Sequence, residues 1–562
     1  MRRKIHIPSV GNFTLTDKNY VGEGGEAVVY SVGDLAVKIY HDPKHMLSTK
    51  KIDELKNIAL DNVLKPLDMV FDHNGDVCGY AMLFVDNTTP LCRLFTKAFK
   101  KKNNISHNDV IELVNNIQET IIGIHDSDCL IVDLNEMNIL VDDDYVNPIF
   151  IDVDSYGTKS YPATAIMESI RDHKVKNNQF TKLSDWYSFA IIAFQLYIGI
   201  HPYKGKHPNY KPSEWQKRME DGVSVFDNRA TIPAMCNDFS VIPKPHLDWM
   251  KDIFLNNNRS HPPVVRGSNV IVHKNTFIIN DKGSFDVDLY ITCKEDIKEV
   301  YDFMGVKYYI TNDNIFKDKT EIFSGVNSYS KVMLSKTNNM TPVICKLDRK
   351  KQILIFEKIG GEKISEIKSK NAMSKNGVIY SVYSGKFCSI SFSSIGNKIL
   401  PRVRQVSQMS ELSAKFFDGV ICQSVLGKPY VVLPYNEQAC LNKHIPELEG
   451  NKLVDMKAEG HVLVALTLKD SLYSRYVFVF NDTFKSYTVR KEENVDLEDI
   501  NFTVMQNGVC IMSNGEDIEI FKTNDKVRKI SDAPFDSSMR LRSFSSGVYF
   551  LESEKMYKVT MK

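Results

Sequence analysis

The chain has 562 residues, of which 43% are hydrophobic and 25% charged, and its net charge is +1. This length exceeds the roughly 250 to 300 residues of a single core, so it predicts at least two domains, and the composition excludes wholesale disorder. The balanced charge lacks the basic surplus of a nucleic-acid-binding protein, and the most apolar run, 186–200, is too short to span a bilayer. We therefore expect no nucleic acid, no membrane and a cytoplasmic location.

The first part of the chain mixes strand and helix patterns. The segment 28–40, VVYSVGDLAVKIY, is typical of a hairpin, and 108–125 has apolar residues at helical spacing. The apolar run 186–200 predicts a buried helix. We assign 1–19 to an N-terminal extension and 20–263 to a mixed domain. The polar segment NNNRSHPPVVRGSN at 256–269, with its paired prolines, is interpreted as the exit linker.

The second part, 264–562, predicts an all-β domain built from repeats. A small turn precedes an apolar strand at Gly305, Gly377, Gly419, Gly460, Gly508 and Gly547, and a further strand begins at 341. Seven units in 269–562 average about 42 residues, which is the length of a four-stranded propeller blade. We predict a seven-bladed β-propeller, with the strand NVIVHKNTFII at 269–279 completing the last blade; the alternative is a pair of β-sandwiches.

The glycine-rich segment 20–30 reads YVGEGGEAVVY and resembles the nucleotide loop of protein kinases. The kinase pattern G-x-G-x-x-G-x-V falls on Gly22, Gly24, Ala27 and Val29. Small residues in such a hairpin let backbone N–H groups approach the phosphates of ATP. By itself the segment is also compatible with an ordinary hairpin turn.

The resemblance extends to the next strand and helix. The sequence LAVK matches the kinase V-A-I-K strand, which implies that Lys38 contacts the α and β phosphates. Its implied ion-pair partner is Glu54, with Asp53 as the alternative because the phase of this helix is open. The segment GYAMLFVDN resembles the strand that leads to the interlobe hinge.

The hinge resemblance implies three contacts with the adenine base. The side chain of Met82 would line the pocket, and the backbone between Leu83 and Val85 would face the base. The bilobal plan that follows has an N-lobe at about 20–85 and a C-lobe at about 86–263.

The segment 130–157, LIVDLNEMNILVDDDYVNPIFIDVDSYG, is similar to the catalytic loop and metal-binding segment of kinases. The pattern H-R-D-L-x-x-x-N places Asp133 at the proton-accepting position and Asn138 at a magnesium ligand. Asp152 stands at the metal-binding position of D-F-G, and its carboxylate suits Mg²⁺. Two capped turns in an α/β domain would be the purely structural interpretation.

Further C-terminal positions of the kinase plan are also matched. Asp185 would hold the backbone of the catalytic loop, and Arg259 would form a salt bridge with Glu168 in the activation segment. The resemblance covers about 20–263.

Three departures qualify the resemblance. Val132 replaces an arginine that binds a phosphorylated activation loop, Asn135 replaces a lysine common in serine/threonine kinases, and Asp154 replaces the glycine of D-F-G. The variant DLNEMNILV with IDVDSY is similar to an atypical bacterial kinase group, including phage-related members, that is associated with phosphatase and von Willebrand-type partners.

The resemblance implies an ATP- and Mg²⁺-dependent serine/threonine protein kinase with a protein substrate. The overall expectation is an α+β bilobal kinase-like domain followed by a β-propeller that recruits the substrate or a regulatory partner protein. Two alternatives stay open. A pseudokinase scaffold would bind nucleotide without transfer, and a small-molecule kinase of the aminoglycoside-phosphotransferase type would carry a substrate-binding insertion in place of a propeller.

Overall fold

The computed structural model describes residues 2–163, 166–265, 284–383, 385–515, 517–531 and 534–562. The chain divides into two compact units, an N-terminal α/β unit and a C-terminal all-β unit. The first comprises Met1–Phe277 with the short segments Leu468–Ser474 and Glu493–Asp499. The second comprises Ile278–Thr467, Arg475–Glu492 and Ile500–Lys562.

The first unit begins with a seven-stranded sheet whose paired strands are antiparallel, in the order β2-β1-β6-β7-β5-β4-β3. The strands are β1 (Arg3–Ile7), β2 (Gly11–Leu15), β3 (Tyr20–Glu23), β4 (Ala27–Val32), β5 (Leu35–Tyr40), β6 (Asp68–Phe71) and β7 (Val77–Leu83). The predicted hairpin is confirmed as β4–β5, and Gly33 supplies the positive φ of 60° that its two-residue turn needs. The stretch predicted as an N-terminal extension contributes β1 and β2 to this sheet.

Helices dominate the rest of the first unit. They are α1 (Thr49–Lys56), α2 (Lys97–Lys102), α3 (His107–Asp126), α4 (Lys182–Ile198), α5 (Trp215–Glu220) and α6 (Lys244–Phe254). A three-stranded sheet joins β8 (Thr89–Pro90), β9 (Ile139–Val141) and β10 (Pro148–Phe150). Within the described ranges, no helix combines the length and the apolarity needed to cross a membrane.

The helices predicted from the apolar pattern are confirmed. Helix α3 begins at a capping box in which Ser106 and Asp109 satisfy each other's backbone N–H groups. Helix α4 is buried along almost its whole length and ends at Gly199, whose φ of 94° suits a C-terminal glycine. These two helices contact each other and form the apolar centre of the helical part.

The described part of the predicted linker, up to residue 265, is hydrogen-bonded to the helices of this unit. The carbonyl oxygens of Pro263 and Val265 accept hydrogen bonds from Gln118 and Asn115 of α3. The indole of Trp249 on α6 donates to the carbonyl of Ser260 at 3.2 Å. The residues up to 265 therefore pack as part of the first unit.

The second unit consists, in its described ranges, of seven four-stranded sheets. The first sheet contains β12 (Glu299–Phe303), β13 (Val306–Ile310), β14 (Asn314–Lys317) and β15 (Thr320–Ser324). The second contains β16 (Lys331–Lys336), β17 (Pro342–Asp348), β18 (Ile353–Lys358) and β19 (Lys363–Lys368). The third contains β20 (Ala372–Lys375), β21 (Val378–Tyr383), β22 (Lys386–Ile395) and β23 (Lys398–Gln408). The fourth sheet contains β24 (Lys415–Phe416), β25 (Ile421–Val425), β26 (Lys428–Asn436) and β27 (Ala439–His444). The fifth contains β28 (Lys452–Glu459), β29 (Val462–Lys469), β30 (Leu472–Phe480) and β31 (Tyr487–Val495). The sixth contains β32 (Phe502–Val504), β33 (Cys510–Asn514), β34 (Asp517–Phe521) and β35 (Val527–Ile530).

The seventh sheet joins the two ends of the all-β region. It contains β36 (Arg540–Phe544), β37 (Gly547–Glu552) and β38 (Lys555–Met561), and β11 (Phe285–Thr292) pairs antiparallel with β38. The predicted partner strand at 269–279 lies outside the described residues. The strand seen next to β38 is therefore a later segment than the one that we predicted.

Each predicted repeat corresponds to the second strand of one sheet. The strands that follow the predicted turns are β13, β17, β21, β25, β29, β33 and β37. The turn glycines adopt positive φ, for example 85° at Gly305 and 79° at Gly377. The turn signal was informative because a tight turn between the first and second strands demands this conformation.

Successive sheets are joined near their first strands. The core of the first two sheets is shared through Ile310 and Leu334. Hydrogen bonds join the later pairs of sheets. Ser374 Oγ donates to the Leu334 carbonyl between the second and third sheets (3.0 Å), Lys375 Nζ to the Gly419 carbonyl between the third and fourth (3.0 Å), and Ala458 N to the Asp418 carbonyl between the fifth and fourth (2.8 Å). Thr503 Oγ1 donates to Glu459 Oε1 between the sixth and fifth sheets (2.6 Å), Leu541 N to Asn501 Oδ1 between the seventh and sixth (2.9 Å), and Arg542 Nη2 to Glu299 Oε1 between the seventh and first (2.6 Å). The last of these links the seventh sheet to the first.

Candidate active site

The glycine-rich segment forms the hairpin β3–β4 at one edge of the seven-stranded sheet. Its tip is closed by a 2.9 Å hydrogen bond from the Gly24 N–H to the Ala27 carbonyl. Val29 lies opposite Gly22 in one direction and opposite Lys38 in the other. The sheet register therefore places the hairpin directly beside the lysine that the sequence singled out.

The fold itself does not require glycine at this tip. Gly22, Gly24 and Gly25 all have φ outside the positive range. A Cβ added at Gly22 or Gly25 would meet no atom within 4 Å, and at Gly24 only the Ala27 carbonyl at 4.0 Å. Neither backbone strain nor internal packing explains the three glycines, and the space that an added Cβ would occupy at each of them is open.

The residues predicted near the adenine base lie at the end of β7 and in the segment that follows it. Met82 is opposite Ala36 on the neighbouring strand and packs against a buried cluster that contains Ala27 and Tyr80. Leu83 ends β7 and is exposed, and Val85 follows it in the connecting segment. Leu83 pairs with Leu35, which pairs with Val32 at the end of β4 away from the hairpin tip.

Lys38 pairs with two aspartates that follow β10. Its Nζ lies 2.6 Å from Asp154 Oδ2 and 3.4 Å from Asp152 Oδ1. Burial lowers the pKa of Lys38, but the carboxylates of Asp154 and Asp152 outweigh this effect and raise it above its usual value. The ammonium group is therefore held charged between the sheet and the segment after β10.

The predicted ion pair between Lys38 and Glu54 is wrong in this structure. The Glu54 carboxylate accepts a hydrogen bond from the backbone N–H of Ser160 at 3.2 Å. The alternative, Asp53, points to solvent and pairs with Lys56 at 3.2 Å. Both carboxylates lie outside the buried face of α1, which is formed by Lys51, Ile52 and Leu55.

Two tyrosines and a lysine that the sequence analysis missed surround Asp154. The hydroxyls of Tyr40 and Tyr80 donate to its carboxylate at 2.5 Å and 2.6 Å, and Lys51 Nζ donates to its backbone carbonyl at 2.8 Å. Burial and the nearby Asp154 raise the pKa of both tyrosines, so both remain protonated donors. Strand period could have found them, because Tyr40 lies two residues after Lys38 and Tyr80 pairs opposite it.

Asp133 and Asn138, which the sequence predicts for a catalytic loop, lie next to each other. The Asn138 amide nitrogen donates to Asp133 Oδ2 at 3.2 Å, while Asp133 Oδ1 accepts the backbone N–H of Met167 at 2.8 Å. The Ile151 N–H bonds to the Asn138 carbonyl at 2.9 Å, so Asn138 stands across the β9–β10 hairpin from the residue before Asp152. Three predicted site residues thus occur at one end of this hairpin.

The backbone of the catalytic loop is held as predicted by Asp185. The two carboxylate oxygens of this fully buried residue accept the N–H groups of Ile131 and Val132, each at 2.9 Å. His125 Nε2 lies 2.9 Å from the same carboxylate. Val132 has φ of 62°, a rare conformation for a β-branched residue, which such anchoring can maintain.

The Asp185→Asn variant is expected to destabilise the first unit by about 1–3 kcal/mol, since one amide oxygen cannot replace two carboxylate oxygens and a buried N–H loses its partner. All three tryptophans, Trp186, Trp215 and Trp249, lie in Met1–Phe277, so thermal unfolding followed by tryptophan fluorescence reports on this unit. The control is Asp53→Asn, which removes an exposed ion pair and should change stability by less than about 0.5 kcal/mol. Equal unfolding temperatures for the two variants would contradict the anchoring role.

Two other predictions at the loop have different outcomes. Arg259 forms its salt bridge with Asp172, at 2.7 Å, and the predicted partner Glu168 pairs instead with Arg171. Asn135, where many kinases have lysine, is buried and its Oδ1 accepts the Met137 N–H at 2.9 Å. Asn135 therefore shapes the turn of the loop.

The oxygen atoms at this end of the hairpin have the chemistry that Mg²⁺ prefers. The Asp152 side chain is 47% exposed, and Asn138 directs its amide nitrogen toward Asp133, which leaves its Oδ1 as the atom that could face a cation. Among the described residues, no group of three or more His, Cys, Asp or Glu side chains is arranged to hold a metal. Asp152 and Asn138 alone would offer a partial ligand set, of the kind that substrate phosphates and water complete.

Neither a protein-family model nor a curated protein matches the chain.

Proposed function

We propose that the first unit is a bilobal protein-kinase-like enzyme that transfers the γ-phosphoryl group of ATP, with Mg²⁺, to serine or threonine hydroxyls of proteins. The observation that carries the proposal is the convergence of four side chains on one region. Lys38 lies 3.4 Å from Asp152, Asn138 lies 3.2 Å from Asp133, and the β9–β10 hairpin joins the two pairs. Phosphoryl transfer depends mainly on positioning and on charge stabilisation, which these groups can provide.

Each of these residues has a distinct task in this proposal. The charged Lys38 binds the phosphates of the nucleotide, and the open tip of the β3–β4 hairpin lets backbone N–H groups approach them. Asp152 and the Asn138 Oδ1 would hold Mg²⁺. When bound, Mg–ATP supplies the phosphoryl group and neutralises the charge that develops on its oxygens.

Asp133 is the candidate for orienting the attacking hydroxyl. Its Oδ2 accepts from Asn138, and its Oδ1 accepts from the Met167 N–H, which fixes the plane of the carboxylate. A carboxylate fixed in this way can accept the proton of a hydroxyl that is placed within hydrogen-bond distance. The anchoring of the loop backbone by Asp185 supports that geometry.

For the second unit we propose a closed seven-bladed β-propeller. The proposal is supported by seven four-stranded sheets, by the bonds between successive first strands, and by the pair Arg542–Glu299 between the seventh sheet and the first. Pairing of β11 with β38 joins the first and last strands of the region in one sheet. Such a domain would recruit the protein substrate or a regulatory protein, and it disfavours a small-molecule kinase with a substrate-binding insertion.

Nucleotide binding at the hairpin can be tested with Gly24→Ala in the full chain. Because the added methyl group meets no strain or clash, the unfolding temperature without nucleotide should stay within about 2 °C of wild type. Stabilisation by Mg–ATP should fall, corresponding to an affinity loss of about tenfold or roughly 1.4 kcal/mol. Tryptophan fluorescence during heating measures both quantities.

The matched control is Gly25→Ala, which adds the same methyl group into equally open space but at a variable position of the glycine pattern. It should keep the wild-type response to Mg–ATP. Full nucleotide stabilisation of the Gly24 variant, or no nucleotide stabilisation of wild type, would contradict the proposed nucleotide site.

A further inference from the structure

We propose that Asp154 is the positioning residue that anchors Lys38, in place of a glutamate from helix α1. The same short turn would then carry both the metal-binding carboxylate, Asp152, and the anchor of the phosphate-binding lysine. This inference rests on the proposed function and deepens it, because it states how that site is assembled.

Distances and exposure separate the tasks of the two aspartates. Lys38 Nζ is 0.8 Å closer to Asp154 than to Asp152, at 2.6 Å against 3.4 Å. The Asp154 side chain is 12% exposed and Lys38 is 13% exposed, whereas Asp152 is 47% exposed. Asp154 is therefore enclosed with the lysine, while Asp152 faces outward where a cation can reach it.

The hydrogen bonds of Asp154 lead to the same assignment. One carboxylate oxygen accepts from Lys38 and Tyr40, and the other accepts from Tyr80. All three donors lie on β5 and β7, where Lys38 and Tyr80 are direct partners across the strands. A metal ion at Asp154 would have to displace these donors, so its carboxylate serves the lysine.

Helix α1 contributes a cation at the place where a carboxylate was expected. Its buried Lys51 donates to the Asp154 carbonyl, and its Glu54 bonds the Ser160 N–H on another side. The helix thus supports the turn Val153–Ser155 and makes no carboxylate contact with Lys38. Movement of α1 would act on the Lys38 environment in two ways: through this turn, by way of Lys51, and through the buried cluster in which Ile52 packs with Tyr40 and Tyr80.

The functional test compares Asp154→Asn with Glu54→Gln in the full chain. Loss of the anchor should lower the rate of phosphoryl transfer by about 100-fold, the effect of misplacing a reacting group by about 1 Å. The Mg–ATP KM should rise less than the rate falls, because the Asp152 carboxylate is retained. The rate and the Mg–ATP KM of Glu54→Gln should both stay within about twofold of wild type. A loss of rate in Glu54→Gln as large as the loss in Lys38→Met would overturn the inference.

A double-mutant cycle tests the anchor without any activity. We compare the unfolding temperatures, by tryptophan fluorescence, of Lys38→Met, Asp154→Asn and the double variant. Since the two side chains are in contact, the double variant should lose clearly less than the sum of the two single losses. The matched cycle of Lys38→Met with Glu54→Gln should be additive.

The outcomes of the two tests are distinguishable. Additive losses for Lys38 and Asp154 would overturn the anchoring role whether or not the protein transfers phosphate. Wild type that neither binds Mg–ATP nor transfers phosphate would overturn the proposed function, and the cycle would still decide the contact. If Asp154→Asn does not fold, Glu54→Gln decides. A wild-type rate and KM in Glu54→Gln support the inference, and a loss of rate in that variant overturns it.

Discussion

The Asp133→Asn variant is expected to transfer phosphate about two to four orders of magnitude more slowly than wild type while keeping its affinity for Mg–ATP. In the proposed reaction Asp133 would contact the incoming hydroxyl, so its carboxylate would matter chiefly in the transition state. The replacement amide can keep the contact with either Met167 or Asn138, which limits the structural change. The measurement is single-turnover transfer from labelled ATP to a protein acceptor, beside a binding titration with Mg–ATP.

The control for Asp133→Asn is its unfolding temperature, which should remain within a few degrees of wild type. A variant that retains more than about a tenth of the wild-type rate, equivalent to less than roughly 1.4 kcal/mol of barrier, would show that Asp133 is not the proton-accepting group. Equal loss of nucleotide affinity and of rate would assign it to binding.

The Asp152→Asn variant is expected to lose both nucleotide affinity and transfer, because its carboxylate would hold the metal that accompanies ATP. We expect at least about a tenfold loss of Mg–ATP affinity, or roughly 1.4 kcal/mol, and a larger loss of rate. Asn is the suitable replacement, since Asp152 has φ 60° and ψ 47°, a left-handed conformation that asparagine adopts readily. The substitution therefore removes charge with little backbone cost.

Chelation provides the internal control for Asp152→Asn. With EDTA present, wild type and variant should bind ATP equally weakly, because the difference between them depends on Mg²⁺. Titrations with and without EDTA measure this directly. A difference in affinity that persists in EDTA would mean that Asp152 acts through Lys38 and not through a metal ion.

The elements that could be predicted from sequence are those with a strong period or a demanding turn. Helix α4 was visible because its residues from Trp186 to Ile198 are apolar except for Ser188 and Gln195. The second strand was visible in six of the seven sheets because a turn glycine with positive φ precedes it. Asp185 was placed correctly because its spacing from the catalytic loop follows a known pattern and its contacts are to backbone atoms.

The partner of a charged side chain was harder to predict. In α1, Ile52 and Leu55 define the buried face, and Lys51 lies on that face while Glu54 does not. That signal was present in the helical period. Arg259 was expected to pair with Glu168, but its partner is Asp172, four residues further along a stretch without regular period. Irregular segments give no rule for which of two nearby carboxylates turns inward.

The Lys38 environment could not have been derived from any single element. It combines β5, β7, α1 and the turn Val153–Ser155. Lys38 and Asp154, which meet there, are more than 100 residues apart in the chain. The register of β5 and β7 sets the pairing of Lys38 with Tyr80, and this register was not predicted from the sequence. The role of Asp154 depends on a left-handed residue at Asp152, which redirects the chain and is not encoded by a glycine.

Transfer of labelled γ-phosphate from Mg–ATP to the protein itself or to proteins of a lysate, read by mass spectrometry, tests most directly whether the first unit is a phosphotransferase. Wild type and Asp133→Asn are compared at the same saturation with nucleotide. We predict phosphoserine or phosphothreonine with wild type and at least about a hundredfold less with the variant. Wild type that binds Mg–ATP yet labels no protein would contradict the enzyme and favour a nucleotide-binding scaffold.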